Sequence, residues 1–204
     1  MGFYSKVVFP RLLDVVMSDQ ELATYRQELL ADVRGKVLEI GFGTGLNLPY
    51  YPDNIEKITT IDANSGMNKL AQKRIQASSL KVEHRVLNGE SLPMENNSFD
   101  SVVSTWTLCS IVNIDKALKE IYRVLKPGGN FFFIEHGLSN KEEVQVWQNR
   151  LNPLQKIIAD GCNLNRNIKL SVEKHFDKVQ VEEFLEKNSP EFAGYTYKGV
   201  ATKK

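Results

Sequence analysis

The run Val37-Leu38-Glu39-Ile40-Gly41-Phe42-Gly43-Thr44-Gly45 constrains this chain more than any other stretch. A short, mostly apolar segment carrying one acid leads into three glycines at alternate positions. This is the pattern of a buried parallel strand that ends in a tight turn. Glycines there let the backbone reverse sharply and leave no Cβ between the main chain and a ligand lying against it. A dinucleotide fingerprint, G-x-G-x-x-G, would place its third glycine at position 46. Leu46 stands there and the third glycine is Gly45, a spacing that disfavours a nicotinamide-dependent oxidoreductase.

The remaining chain reads as what such a turn needs around it. Residues 3–17 are strongly apolar, and residues 19–33 form a polar helix with Leu22, Tyr25, Leu29 and Leu30 at helical spacing. Strands are expected at 37–41, 57–61 (closing on Asp62), 81–87, 99–105 and 130–135. Helices are expected at 65–78, with Ser65 as N-cap, and at 114–125. Lys126-Pro127-Gly128-Gly129 reads as a helix stop and turn. Residues 137–175 are helical and polar, and 178–186 and 194–202 alternate as a pair of antiparallel strands around Ser189-Pro190. The expected fold is α/β: one domain over 1–204, a doubly wound, Rossmann-like seven-stranded sheet with a C-terminal antiparallel hairpin. Its parts are a helical lid (1–33), a binding core (35–136), a helical substrate-side insertion (137–176) and the terminal hairpin (177–204).

Charge and cysteine usage narrow the function. With 26 Lys plus Arg against 25 Asp plus Glu, there is no basic excess of the kind that coats nucleic acid, so nucleic acid is not an expected partner. Cys109 and Cys162 are the only cysteines. They are remote in sequence with no C-x-x-C pair, so the spacing calls for neither a metal nor a disulfide framework and suits a reducing, cytosolic compartment. No apolar run reaches the ~20 residues of a membrane span.

Four segments carry a family resemblance. Glu39-x-Gly41-x-Gly43-x-Gly45 resembles motif I of the class I S-adenosylmethionine (SAM)-dependent methyltransferases. Asp62 closes the second strand. Leu87-Asn88-Gly89-Glu90-Ser91-Leu92-Pro93 through Ser98-Phe99-Asp100 resembles the corresponding segment of ubiquinone/menaquinone-type methyltransferases, and Arg123-Val124-Leu125-Lys126-Pro127-Gly128-Gly129 is a further mark of the superfamily. The chain is thereby identified as similar to the methyltransferase type 11 domain. Phe9-Pro10-Arg11-Leu12-Leu13-Asp14, Leu46-Asn47-Leu48-Pro49-Tyr50-Tyr51-Pro52, Glu135-His136 and Asp160-Gly161-Cys162-Asn163-Leu164-Asn165-Arg166 extend the resemblance. They point to bacterial relatives of the animal methyltransferase-like proteins numbered seven, which methylate alkyl thiols on membranes or lipid droplets; with no counterpart here to the animal proteins' hydrophobic leader, firm membrane anchoring is not expected.

The resemblance implies a SAM-dependent methyltransferase acting on a small, lipophilic acceptor: a thiol, a phospholipid amine or a quinone-like ring. A SAM-binding protein without transferase activity is the alternative. It implies that Gly41, Gly43 and Gly45 admit the methionine portion of the cofactor. Glu39 orients that loop or accepts from the ammonium, and Asp62 accepts both ribose hydroxyls. Ala63, Asn88, Gly89, Glu90 and Thr105 line the cofactor; Asn88 stands where the family has an adenine-contacting acid, and Glu90 is the nearest acid able to replace it. Trp106 and Cys109, after the fourth strand, fall on the acceptor side. His136, past the fifth, is placed to take the acceptor's proton, and Arg166 to meet an anionic substrate. The apolar N-terminal helix is expected to act as a lid, with peripheral membrane contact as the second reading.

Overall fold

The computed structural model describes residues 2–204. Seven strands form one sheet: β1 (Val37–Ile40), β2 (Lys57–Asp62), β3 (Lys81–Val86), β4 (Phe99–Thr105), β5 (Leu125–His136), β6 (Lys178–Leu185) and β7 (Tyr195–Thr202), in the order β3-β2-β1-β4-β5-β7-β6. The first five run parallel; β7 lies antiparallel to both β5 and β6, so the hairpin closes one edge of the sheet. The order reverses between β1 and β4, and in an open parallel sheet this switch point is where ligands bind.

Both faces are covered, which is why the central strands lack a polar face. Leu38, Val102, Phe131 and Phe133 pack on one side with Leu118, Ile121 and Val124 of α4 (Ile114–Val124) and Ile168 and Val172 of α6 (Ile168–Glu173). Val37, Val103, Phe132 and Ile134 pack on the other with Leu29 and Leu30 of α2 (Gln20–Leu30) and Ala71 of α3 (Asn68–Ala77). The alternation along Phe131–Ile134 is the strand period of two, read against two apolar layers instead of one. At the N-terminus a wide π-type turn, Tyr4–Val8, runs into α1 (Phe9–Met17); the long α5 (Glu142–Ile158) follows β5.

Three local expectations are corrected. Lys126-Pro127-Gly128-Gly129 is not a free turn but the start of β5. Gly128 N donates to the Lys203 carbonyl and Lys203 N to that of Gly129, while the Lys203 ammonium donates to the carbonyls of Tyr122 and Leu125 at the end of α4. The C-terminus therefore straightens a segment whose composition says turn. Gly128 still needs its left-handed backbone, φ +75°, and the pairing with β4 slips there between Phe99 and Ser101. The capping side chain is not Ser65 but Asn64, whose Oδ1 accepts from Gly66 N at the start of the short helical turn Ser65–Met67 that leads into α3. The helical stretch after β5 is interrupted by a loop at 159–167 that returns to the sheet.

Candidate active site

The carboxyl ends of all five parallel strands open into one cavity of about 580 Å³. Its floor begins at the glycine turn. Gly41 N and Phe42 N both donate to the Ile61 carbonyl, tying the turn to β2. Gly41 has φ +76°, and a Cβ there would sit 1.9 Å from Thr107 Oγ1, so only glycine fits. The Asp62 carboxylate fastens the next two segments: Oδ2 accepts from Gly43 N and Oδ1 from Asn64 N, each at 2.7 Å. Burial pushes Asp62 above the usual carboxylate range against the pull of those two bonds.

Of the residues expected to hold the cofactor, Gly41, Gly43, Asp62, Ala63, Asn88, Gly89, Glu90 and Thr105 all line this cavity. Asn88 Oδ1 accepts from Glu90 N and Glu90 Oε1 from Asn113 N, so both side chains are braced by backbone. Glu39 and Gly45 do not line it. Glu39 lies behind the turn, accepting from Asn47 Nδ2 and Tyr51 OH at 2.8 Å each, and Asn47 bridges onward to Thr105 Oγ1. Of its two expected roles, this geometry serves loop orientation. Burial raises its pKa to about 7, although the bonds from Tyr51 and Asn47 oppose the rise.

The acceptor-side residues are set by Glu135, an acid to which the sequence assigns no such task. It is fully buried, and its carboxylate accepts from Ser104 Oγ, Thr107 N and Cys109 N, folding residues 106–110 over the end of β4. Trp106 takes φ +48° in that fold. Its ring lies between the Arg26 guanidinium, 4.7 Å from the ring centre, and His136, 6.3 Å away edge-on. Arg166 does not reach the cavity. Its guanidinium donates to the carbonyls of Leu108 and Ile111, so it clamps the same loop instead of meeting an anion. Asn163, bonded through N and Nδ2 to the Cys109 carbonyl, docks the 159–167 loop there.

That docking brings together what the sequence keeps apart. Donor atoms of Cys109, His136 and Cys162 lie within 4.8 Å of one another, and all three residues line the cavity. His136 Nε2 faces Glu186 Oε1 at 3.5 Å, and Glu186 is itself held by Ser189 and Thr196. Although burial alone would lower it, hydrogen bonding with Cys109 and Glu186 raises His136 to about 10. Both partners favour the protonated form of the ring over the neutral one. The acid that faces its Nε2 is Glu186.

Arg26 is the second residue the sequence reading passed over. It is 3 % exposed, lines the cavity, and its Nε has no hydrogen-bond partner; burial lowers its pKa to about 10. Its position four residues after Leu22 and three before Leu29 places it on the buried face of α2, a signal readable from helical spacing.

The N-terminal segment closes the cavity with Phe9, Leu13, Val16 and Met17. Polar ties hold it: Ser5 Oγ donates to Asp160, Asn64 Nδ2 to the Ser5 carbonyl, and Asp14 accepts from Thr44 and Arg74. No described helix is long and apolar enough to cross a membrane.

Comparison with known proteins gives a consistent result. Residues 38–133 match a methyltransferase domain model. A thiol S-methyltransferase of Rattus norvegicus is 36 % identical over 193 residues, covering 87 % of this chain and 78 % of the relative. A demethylmenaquinone methyltransferase of Symbiobacterium thermophilum is 32 % identical over 134 residues, covering 60 % of this chain and 53 % of the relative. A solved SAM-dependent methyltransferase from Aquifex aeolicus superposes with a TM-score of 0.64 at 19 % identity, covering 96 % of this chain and 98 % of the other, a likeness of fold.

Proposed function

The chain belongs to the class I SAM-dependent methyltransferases, related to the animal methyltransferase-like proteins numbered seven, and from that premise we propose that its acceptor is a small, apolar thiol. It is an enzyme whose cofactor is SAM and which methylates small acceptors. The oxidoreductase and binding-only alternatives are not favoured.

The residues present fit the cofactor. Gly41 and Gly43 leave backbone bare at the cavity, Asp62 offers a carboxylate there, and the buried guanidinium of Arg26, its Nε unpartnered, suits the cofactor's carboxylate. When bound, SAM supplies a methyl group on a sulfonium. In this reading Asp62 accepts from the ribose hydroxyls, Asn88 and Glu90 meet the adenine, and Glu39 acts only by holding Asn47 and Tyr51.

One observation carries the thiol reading: the same cavity holds Cys109, Cys162 and His136 together among apolar walls that include Leu13, Val16, Ile111 and Val112. An apolar wall favours an alkyl chain, and two cysteines beside a His136 held against Glu186 make a surface suited to the sulfur at its end. The rat relative is named for thiol S-methylation, which supports the assignment. Trp106 and Cys109 flank the acceptor, and α1 excludes water, which strengthens each charge interaction inside. The outer face of α1 exposes Leu12 and Val15, with Phe3 exposed ahead of its leading turn and Ile157 exposed on α5. We propose it as a peripheral membrane contact through which a lipophilic acceptor arrives.

The test is an acceptor screen with methyl-labelled SAM against an alkanethiol, a phosphatidylethanolamine and a demethylated quinone, with products identified by mass. The reading expects the thioether as the main product. Preferential labelling of the amine or the quinone overturns it.

A further inference from the structure

Cys109, His136 and Cys162 reach the cavity from three separate elements: the loop after β4, the end of β5 and the loop after α5. Two sulfurs and an imidazole nitrogen within 4.8 Å of one another form a donor set. Tetrahedral zinc, with bonds of ~2.3 Å to sulfur and ~2.0 Å to nitrogen, would separate such atoms by somewhat under ~4 Å. Small side-chain rotations close that gap. Nε2 of His136 points at Glu186, which leaves Nδ1 for the sulfurs. A ligating histidine characteristically gives its second nitrogen to a carboxylate in this way. A pair of cysteines meant only to form a disulfide would need neither the imidazole nor the acid behind it. The backbone holds the set in place: Asn163 bonds the Cys109 carbonyl twice, and Glu135 holds Cys109 N.

We propose that Cys109, His136 and Cys162 bind a thiophilic divalent cation of the zinc class, whose fourth position opens into the acceptor cavity. Three protein ligands and one open position are the mark of a catalytic zinc site, and a two-sulfur, one-nitrogen set selects zinc over magnesium or calcium. The consequence rests on the thiol reading given above. An acceptor thiol entering the fourth position loses its proton to solvent as the sulfur–metal bond forms. The bound thiolate's electron pair then forms the new carbon–sulfur bond as the methyl's bond to the sulfonium breaks, yielding two neutral thioethers. A thioether is a weak ligand and leaves. With the ion in place His136 is a neutral ligand, and the ion supplies the charge that holds the thiolate.

The test uses the full chain, reduced and stripped by chelator, and titrates Co²⁺ followed optically, with Zn²⁺ as competitor. The proposal expects one equivalent of Co²⁺, the intense visible bands of a tetrahedral site and a sulfur-to-cobalt charge-transfer band, all displaced by Zn²⁺. Cys109→Ser and Cys162→Ser should each weaken the charge-transfer band. Glu186→Gln keeps all three ligands and should lower Zn²⁺ affinity ~10–100-fold. Melting curves and binding of the demethylated cofactor establish that each variant is folded. A protein that binds no stoichiometric metal while both thiols remain titratable overturns the site. So does a mass two hydrogens lighter with no titratable thiol, which would make the cysteines a redox pair. Metal binding without thiol methylation refutes only the acceptor assignment; thiol methylation unaffected by chelation refutes only the metal.

Discussion

Replacing Glu39 by Gln tests what a buried acid behind the glycine turn does to this fold. The carboxyl is 1 % exposed and accepts two hydrogen bonds, while Arg26 attracts its charge and Asp62 repels it. Burial outweighs the favourable bonds and moves it from 4.5 to about 7. A carboxyl raised on folding binds more protons folded than unfolded, so its contribution is complete at acid pH. That contribution is lost as pH rises through the folded value. The displacement corresponds to about 3 kcal/mol between the two limits. A glutamine carries no charge to desolvate: its carbonyl accepts from Asn47, and its amide donates to Tyr51, whose hydroxyl rotates to accept. Urea denaturation of the cofactor-free protein, followed by tryptophan fluorescence at intervals from about pH 4 to about pH 8, reads the difference. Wild type and Glu39→Gln should be close at the acid end, and the variant should become the more stable by up to about 3 kcal/mol at the alkaline end. A variant less stable than wild type at the alkaline end would show that Glu39 is ionised and favourably paired, refuting the reasoning.

Three further outcomes follow from the geometry. Gly41→Ala forces a Cβ into Thr107 at 1.9 Å in a left-handed backbone, so it should lower the melting temperature and abolish cofactor binding in calorimetry. Asp62→Ala and Arg26→Met should each raise the SAM dissociation constant at least ~10-fold, the loss of one charged hydrogen bond. Arg26→Met should do so without destabilising the free protein, because it removes a desolvated charge; a destabilised free protein with unchanged affinity would count against its role. Asp14→Asn removes the anchor of α1 on Arg74 and Thr44, and amide exchange across residues 4–17 should accelerate; unchanged exchange would mean that apolar contacts alone hold the lid.

The parts of this molecule legible in the sequence are those fixed by neighbours along the chain. The glycine turn follows from residues 37–45, and Asp62 from the strand it ends. The apolar run Phe131–Ile134 announces a strand covered on both sides. What escaped depends on contacts between distant segments. Glu186 reaches His136 only because the hairpin pairs β7 with β5, and Lys203 straightens residues 126–129 from the far end of the chain. Cys162 meets Cys109 only because Asn163 docks its loop on β4's exit. Arg166 is hidden for the same reason: a cation in a polar loop reads as free to meet an anion, while here it satisfies two carbonyls.

The most direct test of the account is a crystal structure of the complex with S-adenosylhomocysteine. The account predicts the ribose at Asp62, the amino-acid carboxylate on Arg26, and the homocysteine sulfur turned toward the space beside Cys109, His136 and Cys162. A nucleoside seated away from Asp62, or a sulfur turned away from that cluster, would contradict it.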